Sequence, residues 1–379
     1  MFKNYRLRDF DFKLVILVVS LTVIGIFAIG SAKASVQSTQ INGLLMGVAA
    51  MLFLALFDYS IVLKFYWLFY LINLVLLILV NTGMGSDAGG AQRWLSLAGI
   101  RFQPSELAKI LLILFYAAFI MKYKDKINTF KFLATAIILV VPLLYLIYSQ
   151  PDLSTTIVVA VVFCIMLFMG GLSYKIIFGV LVVAVPSALV LLYMILQPDQ
   201  QIIEEYQQLR ILGWLHPEEY ANTIAYQQTN SKIAIGSGQL LGKGYNTNVI
   251  SSVKNGNFIS EPQTDFIFAV IGEETGFVGA CLVIALIILI ALECCLCARK
   301  AKDLGGVLIC CGVGAMIGFQ GFFNIGVATG IMPNTGLPLP FVSYGLSSLL
   351  SCYMGIGLVL NVRLQAKRVN RGDYGERIG

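Results

Sequence analysis

Residues 260–276 read SEPQTDFIFAVIGEETG, and four carboxylates, Glu261, Asp265, Glu273 and Glu274, stand at the mouth of a long apolar run. Two effects compete for the proton of an acid placed there. A helix N-terminus favours the charged form, while partial desolvation and neighbouring acids favour the neutral one. A carboxylate balanced in this way suits general-base work, such as taking the proton from a hydroxyl that must become a nucleophile. Ser260 and Gln263 have capping-box spacing, so a helix is expected to start near Glu261, with Asp265 in its second turn. The plainer alternative is an interfacial acid, and Asp is short for that task.

Other stretches also set polar chemistry against apolar sequence. In GGAQRWLSLAGIRFQPSELAKI (89–110), Arg93 falls in a loop and Ser105 is the expected N-cap of the helix that follows. Glu106 and Lys109 then lie one turn apart, either as site residues or as an interfacial ion pair worth about 0.2–0.5 kcal/mol. In QPDLST (150–155), Asp152 follows a proline and is placed to cap the next helix. NTIAYQQTNSKIAIGSGQLLGKG (222–244) reads as a surface helix, with Ile224, Gln228, Ser231 and Ile235 at helical spacing, followed by a glycine-rich turn. Lys232 and Lys243 flank that turn, which is a weak phosphate-binding signal. In NIGVATGIMPNTGLPLPFVSYGLSSLL (324–350), prolines remove backbone donors while Ser343, Tyr344, Ser347 and Ser348 supply hydroxyls. A re-entrant loop beside a polar cavity is the simplest reading, and an ordinary loop is the alternative.

These residues need a membrane scaffold. Of 379 residues, 58% are hydrophobic and 12% charged, against about 25% charged in a soluble domain. Mean hydropathy is +0.84. Ten apolar runs fall at roughly 14–30, 41–57, 65–80, 106–121, 132–148, 153–169, 174–196, 266–298, 305–328 and 344–361, close to the ~20 residues that a bilayer span needs. The runs do not alternate with period two, so an all-α polytopic protein is expected rather than a barrel. Most of the 26 basic residues collect before span one (Lys3, Arg6, Arg8, Lys13), around 122–131, at 299–302 and after span ten (Arg363, Lys367, Arg368, Arg371, Arg377). With ten spans these segments share one face, which the positive-inside rule makes cytoplasmic, and both termini lie there. The first run is long for a signal peptide, although Ala32-Lys33-Ala34 imitates a cleavage site.

The long polar segments, 81–105, 197–265 and 329–343, all fall on the opposite, outer face. Function is expected there, in a single integral membrane domain over residues 1–379 with its large outer loop at about 197–265. The eight cysteines lie in spans or at their cytoplasmic ends, so no disulfide framework is implied. Cys294, Cys295 and Cys297 splay around a helix and read as small apolar filling. His216, the one histidine, falls in the outer loop and reads as surface. Basic residues at span ends leave no patch for nucleic acid.

Five motifs in order, GAQRWLSLAGIRFQPSELAKI, QPDLST, SKIAIGSGQLLGKG, TDFIFAVIGEETG and NTGLPLPFVSYGLSSLL, resemble those of the SEDS (shape, elongation, division and sporulation) proteins. These are the RodA/FtsW-type peptidoglycan glycosyltransferases of bacteria, and AIGSGQLLGKG is nearer the RodA branch. Departures from the family pattern are Ser260, Pro262, Asn230, Ser154, Leu346 and Asn334.

The resemblance implies a ten-helix, multi-pass protein of the bacterial cytoplasmic membrane that polymerises lipid II, an undecaprenyl-pyrophosphate-linked disaccharide-pentapeptide, on the outer face. It implies Asp265 as the essential acid and implicates Arg93, Glu106, Lys109 and Asp152. Expected partners are a class B penicillin-binding protein transpeptidase and other elongation-complex membrane proteins. On this reading Asp265 activates a sugar hydroxyl, and Arg93 and Lys109, with Arg210, Lys232 and Lys243 as further cations, meet charge on the leaving pyrophosphate. Glu261, Ser343 and Tyr344 complete the expected substrate site. A divalent cation (Mg or Mn) could share the task, held by Asp265 or Glu261, although the sequence carries no distinctive metal motif. The rival readings are a flippase for the lipid-linked precursor and a non-enzymatic scaffold. The polar mass on one face and the lack of a visible repeat weigh against a transporter.

Overall fold

A backbone surrounded by lipid must satisfy its own hydrogen bonds, so apolar runs of this length fold as helices. In the computed structural model, which describes residues 9–88, 91–97, 100–197, 200–246, 256 and 258–366, each of the ten runs does so. They are α1 (Phe12–Ala32), α2 (Gln37–Leu56), α3 (Tyr66–Leu79), α4 (Pro104–Lys122), α5 (Phe130–Tyr148), α6 (Leu153–Met169) and α7 (Tyr174–Ile195), then, after two shorter helices α8 (Glu205–Leu215) and α9 (Tyr226–Ser237), α10 (Ile267–Ala298), α11 (Leu304–Ala328) and α12 (Leu346–Leu364). Among the described residues nine helices are long and apolar enough to cross a membrane, and α6, at 17 residues, is the shorter tenth. The cations Lys3, Arg6, Arg8, Lys367, Arg368, Arg371 and Arg377, and Gly89, Gly90, Ala98 and Gly99 of the first motif, lie outside the described residues.

Side-chain caps start several helices: Asp11 on α1, Thr129 on α5, Asp152 on α6 and Asp303 on α11 each accept from a backbone N–H one turn on. Ser105 does not cap α4. That helix opens with Pro104 at its first position and Gln103 as its cap residue, because proline's fixed φ prepares the first turn and its missing N–H needs no acceptor. Hydrophobicity alone does not sort these helices. The apolar stretch of α4 is 89% buried and that of α7 is 0% buried. What separates them is that α4 carries Glu106 and Lys109, which need protein around them.

The segment 81–105, read above as loop, contains a three-stranded antiparallel sheet: β1 (Gly85–Ala88), β2 (Ala91–Leu97) and β3 (Ile100–Phe102), in that order. Alternation along β2 puts Arg93 on the face of buried Leu95.

The expected re-entrant loop is present. Residues 331–345 form no helix or strand, yet Leu337, Leu339, Phe341 and Val342 are all 2% exposed or less. Buried irregular backbone must find partners, and five polar side chains from four helices supply them. Ser154 donates to Thr335 O, Asn324 to Leu337 O, Gln320 to Pro338 O, Gln228 to Met332 O and Gln40 to Ser343 O.

The helix α10 breaks at Gly276, whose φ of 65° and ψ of −163° are not helical. The turn after α9 fills the break. Phe277 N donates to Gln239 O and Val278 N to Leu240 O, while Lys243 N and Gly244 N donate to Glu273 O and Glu274 O. The backbones approach so closely that a Cβ on Gly276 would lie 2.4 Å from Gly242 N. Gly276→Ala is therefore expected to lower stability by at least about 1–3 kcal/mol from backbone strain alone. Thermal denaturation of the purified variant checks this.

Candidate active site

Four chain segments bring charged groups together where α4, α6 and α10 begin. Arg93 on β2 donates through Nε to Gln150 O at 3.0 Å and through Nη2 to Pro151 O. It thereby holds the segment that carries Asp152. Asp152 caps α6 through Thr155 N at 3.1 Å, accepts from Gln103 Nε2 at 3.4 Å, and is 5% exposed. On α8, the Arg210 guanidinium lies 5.5 Å from the Tyr206 ring centroid. Burial pulls its pKa down from the usual arginine value, opposed by Tyr206 and Asp265.

Asp265 sits just before α10, not in its second turn. The helix begins at Ile267 after a run of turns, and Ser260 accepts from Gln227 Nε2 instead of capping it. Asn324 Nδ2 donates to Asp265 O at 2.8 Å and to Leu337 O at 2.6 Å, tying the acid to the re-entrant loop. Beside it, Ser343 Oγ donates to Thr264 O, and Tyr344 N donates to Gln263 O. The loop reaches the carboxylate at Gly336, where φ is +72° and a Cβ would lie 3.3 Å from Asp265 Oδ2. Any side chain at 336 would be strained and would crowd the acid.

Burial pushes the Asp265 carboxyl up to about 6, against the pull of Arg210 and then Arg93, with Glu261 and Asp152 adding a smaller push upward. Desolvation thus outweighs two guanidinium groups. A carboxylate with such a pKa is mostly ionised at neutral pH and still basic enough to accept a proton.

Glu273 and Glu274, expected to join this balance, are engaged elsewhere. Glu273 accepts from Lys243 Nζ at 2.6 Å, and Glu274 from Ser31 Oγ. Lys243 is thereby engaged in the clasp on α10. Lys232 is exposed, with its stem against Gly330, and Glu261 is exposed beside the site. Glu106 and Lys109 are joined, but not at an interface. Their side chains are 2% and 1% exposed, Lys109 Nζ lies 2.9 Å from Glu106 Oε1, and it also donates to Gln320 Oε1 at 2.6 Å. Gln320 then reaches Pro338 O at 3.0 Å, so the pair supports the loop from below. His216, at the end of α8, is exposed.

Gln320 and Asn324 escaped the reading of the sequence. Their signal is an i, i+4 polar pair in an apolar helix, which places both on one face. Asn324→Ala leaves two buried carbonyls without donors, so a loss of about 2 kcal/mol or more is expected. Turnover should fall roughly ten- to a hundredfold as Asp265 shifts. Thermal denaturation and initial rates on the same preparation check both.

Among the described residues no three His, Cys, Asp or Glu side chains gather to hold a metal. A narrow crevice lies against the cationic side of the site, lined by Pro151, Ser154, Tyr206, Arg210, Pro333 and Thr335. A larger cavity, about 1150 Å³, is an apolar groove between α6, α10 and α11 and contains none of the site's charged residues.

The profile of the FtsW/RodA/SpoVE family, described as cell cycle proteins, matches residues 10–368. The peptidoglycan glycosyltransferase MrdB of Escherichia coli (strain K12) is 35% identical over 364 residues, covering 95% of each chain. A solved chain from a peptidoglycan synthase complex that coordinates polymerization and crosslinking aligns with a TM-score of 0.77. It is 29% identical, covering 93% of this chain and 97% of that one. The Rod shape determining protein RodA of Thermus thermophilus aligns with a TM-score of 0.68 at 27% identity, over 95% of this chain and 98% of that one.

Proposed function

The chain belongs to the FtsW/RodA/SpoVE family, and from that premise we propose how its site joins sugars. It is a multi-pass, predominantly helical peptidoglycan glycosyltransferase of the cytoplasmic membrane. One observation carries the mechanistic reading: a carboxylate whose pKa burial lifts to about 6 lies within the field of two guanidinium groups, at the edge of the apolar bundle.

In the proposed reaction the donor is lipid II. Its polyprenyl tail stays in lipid and its pyrophosphate faces Arg93 and Arg210. Asp265 takes the proton from the acceptor's GlcNAc 4-hydroxyl. That oxygen forms the new bond to the donor's anomeric carbon while the bond to the lipid pyrophosphate breaks on the opposite face, so the configuration inverts, with base and leaving group on opposite faces as in inverting glycosidases. Negative charge grows on the departing pyrophosphate, where cations fixed in advance stabilise it most. Asp152, Asn324, Ser343 and Tyr344 hold the base and loop in register, and Glu106 and Lys109 brace them. A divalent cation would be held by Asp265 and Glu261 together with the pyrophosphate, the usual arrangement for Mg, and no step above depends on it.

On the ten-span reading, with the basic span ends on the cytoplasmic side, this site lies on the outer face, where the polymer is needed. The chain has no transpeptidase motif, so crosslinking falls to a partner, a class B penicillin-binding protein, within a larger elongation complex. Purified chain in proteoliposomes with lipid II tests the reading. Glycan polymer is expected. Translocation of lipid II without polymer identifies a flippase, and neither activity leaves a scaffold.

A further inference from the structure

A second charged cavity lies at the opposite end of the bundle, outside the catalytic machinery. It occupies about 340 Å³ where α10 and α12 end and α1 begins. Arg299, Lys300 and Arg363 supply its cations, and Asp11 and Glu293 are its acids. Both acids are already engaged. Asp11 accepts from Leu14 N at 3.1 Å and from Cys297 Sγ at 3.5 Å, and Glu293 pairs with Lys13. The next cation along, Lys302, donates to Gln365 and lies over the Tyr59 ring. By contrast, Arg299, Lys300 and Arg363 make no ion pair among the described residues, and the Nε of Arg363 is closed off from solvent without an acceptor. The positive-inside rule accounts for cations on this face. It does not account for three of them closing around a cavity whose acids are taken.

A neighbouring feature decides what would enter. Arg299 also lines the 1150 Å³ apolar groove, whose inner end is walled by Cys295, Ala298 and Ala301. A cationic chamber and a hydrocarbon channel therefore meet at one residue, at the depth where two spanning helices end. A free anion would use the chamber and leave the channel empty, whereas a lipid with a charged headgroup uses both.

We propose that this junction binds an anionic glycerophospholipid of the inner leaflet, with its phosphate among Arg299, Lys300 and Arg363 and an acyl chain along the inner half of the groove. Cytoplasmic basic clusters attract such headgroups by about fivefold per charge. The occupant differs from the lipid-linked donor in leaflet, headgroup and end of the bundle.

The test uses the full-length protein, delipidated and re-exposed to mixed phosphatidylglycerol and phosphatidylcholine, with retained lipid counted by native mass spectrometry. Wild type should retain phosphatidylglycerol preferentially. Arg299→Gln/Lys300→Gln/Arg363→Gln should retain less than about a tenth as much. Lys124→Gln/Lys126→Gln/Lys131→Gln, which removes equal charge from another cytoplasmic turn, should stay within about twofold of wild type. Lys300→Gln alone, at an exposed position, should lose about fivefold and keeps the test decisive if the triple variant misfolds. Equal loss in both triple variants, unchanged retention in Lys300→Gln and its triple, or displacement of the lipid by millimolar inorganic phosphate would overturn the proposal.

Discussion

Asp265→Asn protein folds, binds lipid II and makes no long glycan: chain growth falls by a factor of about 10²–10⁴, the usual contribution of a positioned general base. Asparagine keeps the shape of the side chain and the backbone bond from Asn324, so the loss isolates proton transfer. The same substitution should not destabilise the protein at neutral pH. The folded-state pKa of Asp265 is raised, from 3.8 to about 6. A raised carboxyl contributes stability that is fully present below its unfolded value and is lost as pH rises through the folded one. At pH 7 wild type carries the cost of a desolvated charge, and the neutral amide does not. A melting temperature equal to or above that of wild type, together with lost polymerisation, is the expected pair of results. A variant that polymerises at the wild-type rate removes the base role.

Glu106→Gln and Lys109→Met are each expected to cost about 3–5 kcal/mol, the loss seen when one partner of a buried ion pair is removed. Both side chains are nearly inaccessible, and Glu106 Oε2 has no partner among the described residues, so the pair is not richly solvated by protein. Each single change leaves a charge inside α4 without its opposite. The double variant Glu106→Gln/Lys109→Met should recover much of the loss, because neither charge remains. Additive losses would show that the residues act independently. Since Lys109 reaches the re-entrant loop through Gln320, the single variants should also lose turnover, even at temperatures where they stay folded.

The spanning helices were legible because lipid leaves the backbone no other choice, and runs such as 174–196 announce themselves by hydropathy alone. Asp265, Arg93, Asp152 and the Glu106–Lys109 pair were legible because charge beside apolar sequence is costly and so marks a site. What connects them was not. The carbonyls of residues 332–343 are met by Gln40, Ser154, Gln228, Gln320 and Asn324, and no local pattern ties those donors to that loop. Gly276 read as one more glycine in an apolar run, and its role appears only when the 239–244 turn is brought against it. Glu273 and Glu274 misled by adjacency. Six residues of helix, about 9 Å, already separate Ile267, where α10 starts, from Glu273, and the two acids meet Lys243 and Ser31. Ser105 lost the cap of α4 to the simpler solution of a proline in the first turn.

Asp265 must be ionised to act. The most direct test is the rate of glycan growth by the wild-type protein at saturating lipid II, followed from about pH 5 to pH 8. The rate should climb with pH, pass half its maximum near the Asp265 value of about 6, and then level off. A rate that is flat across that range in protein shown to be folded throughout would contradict it.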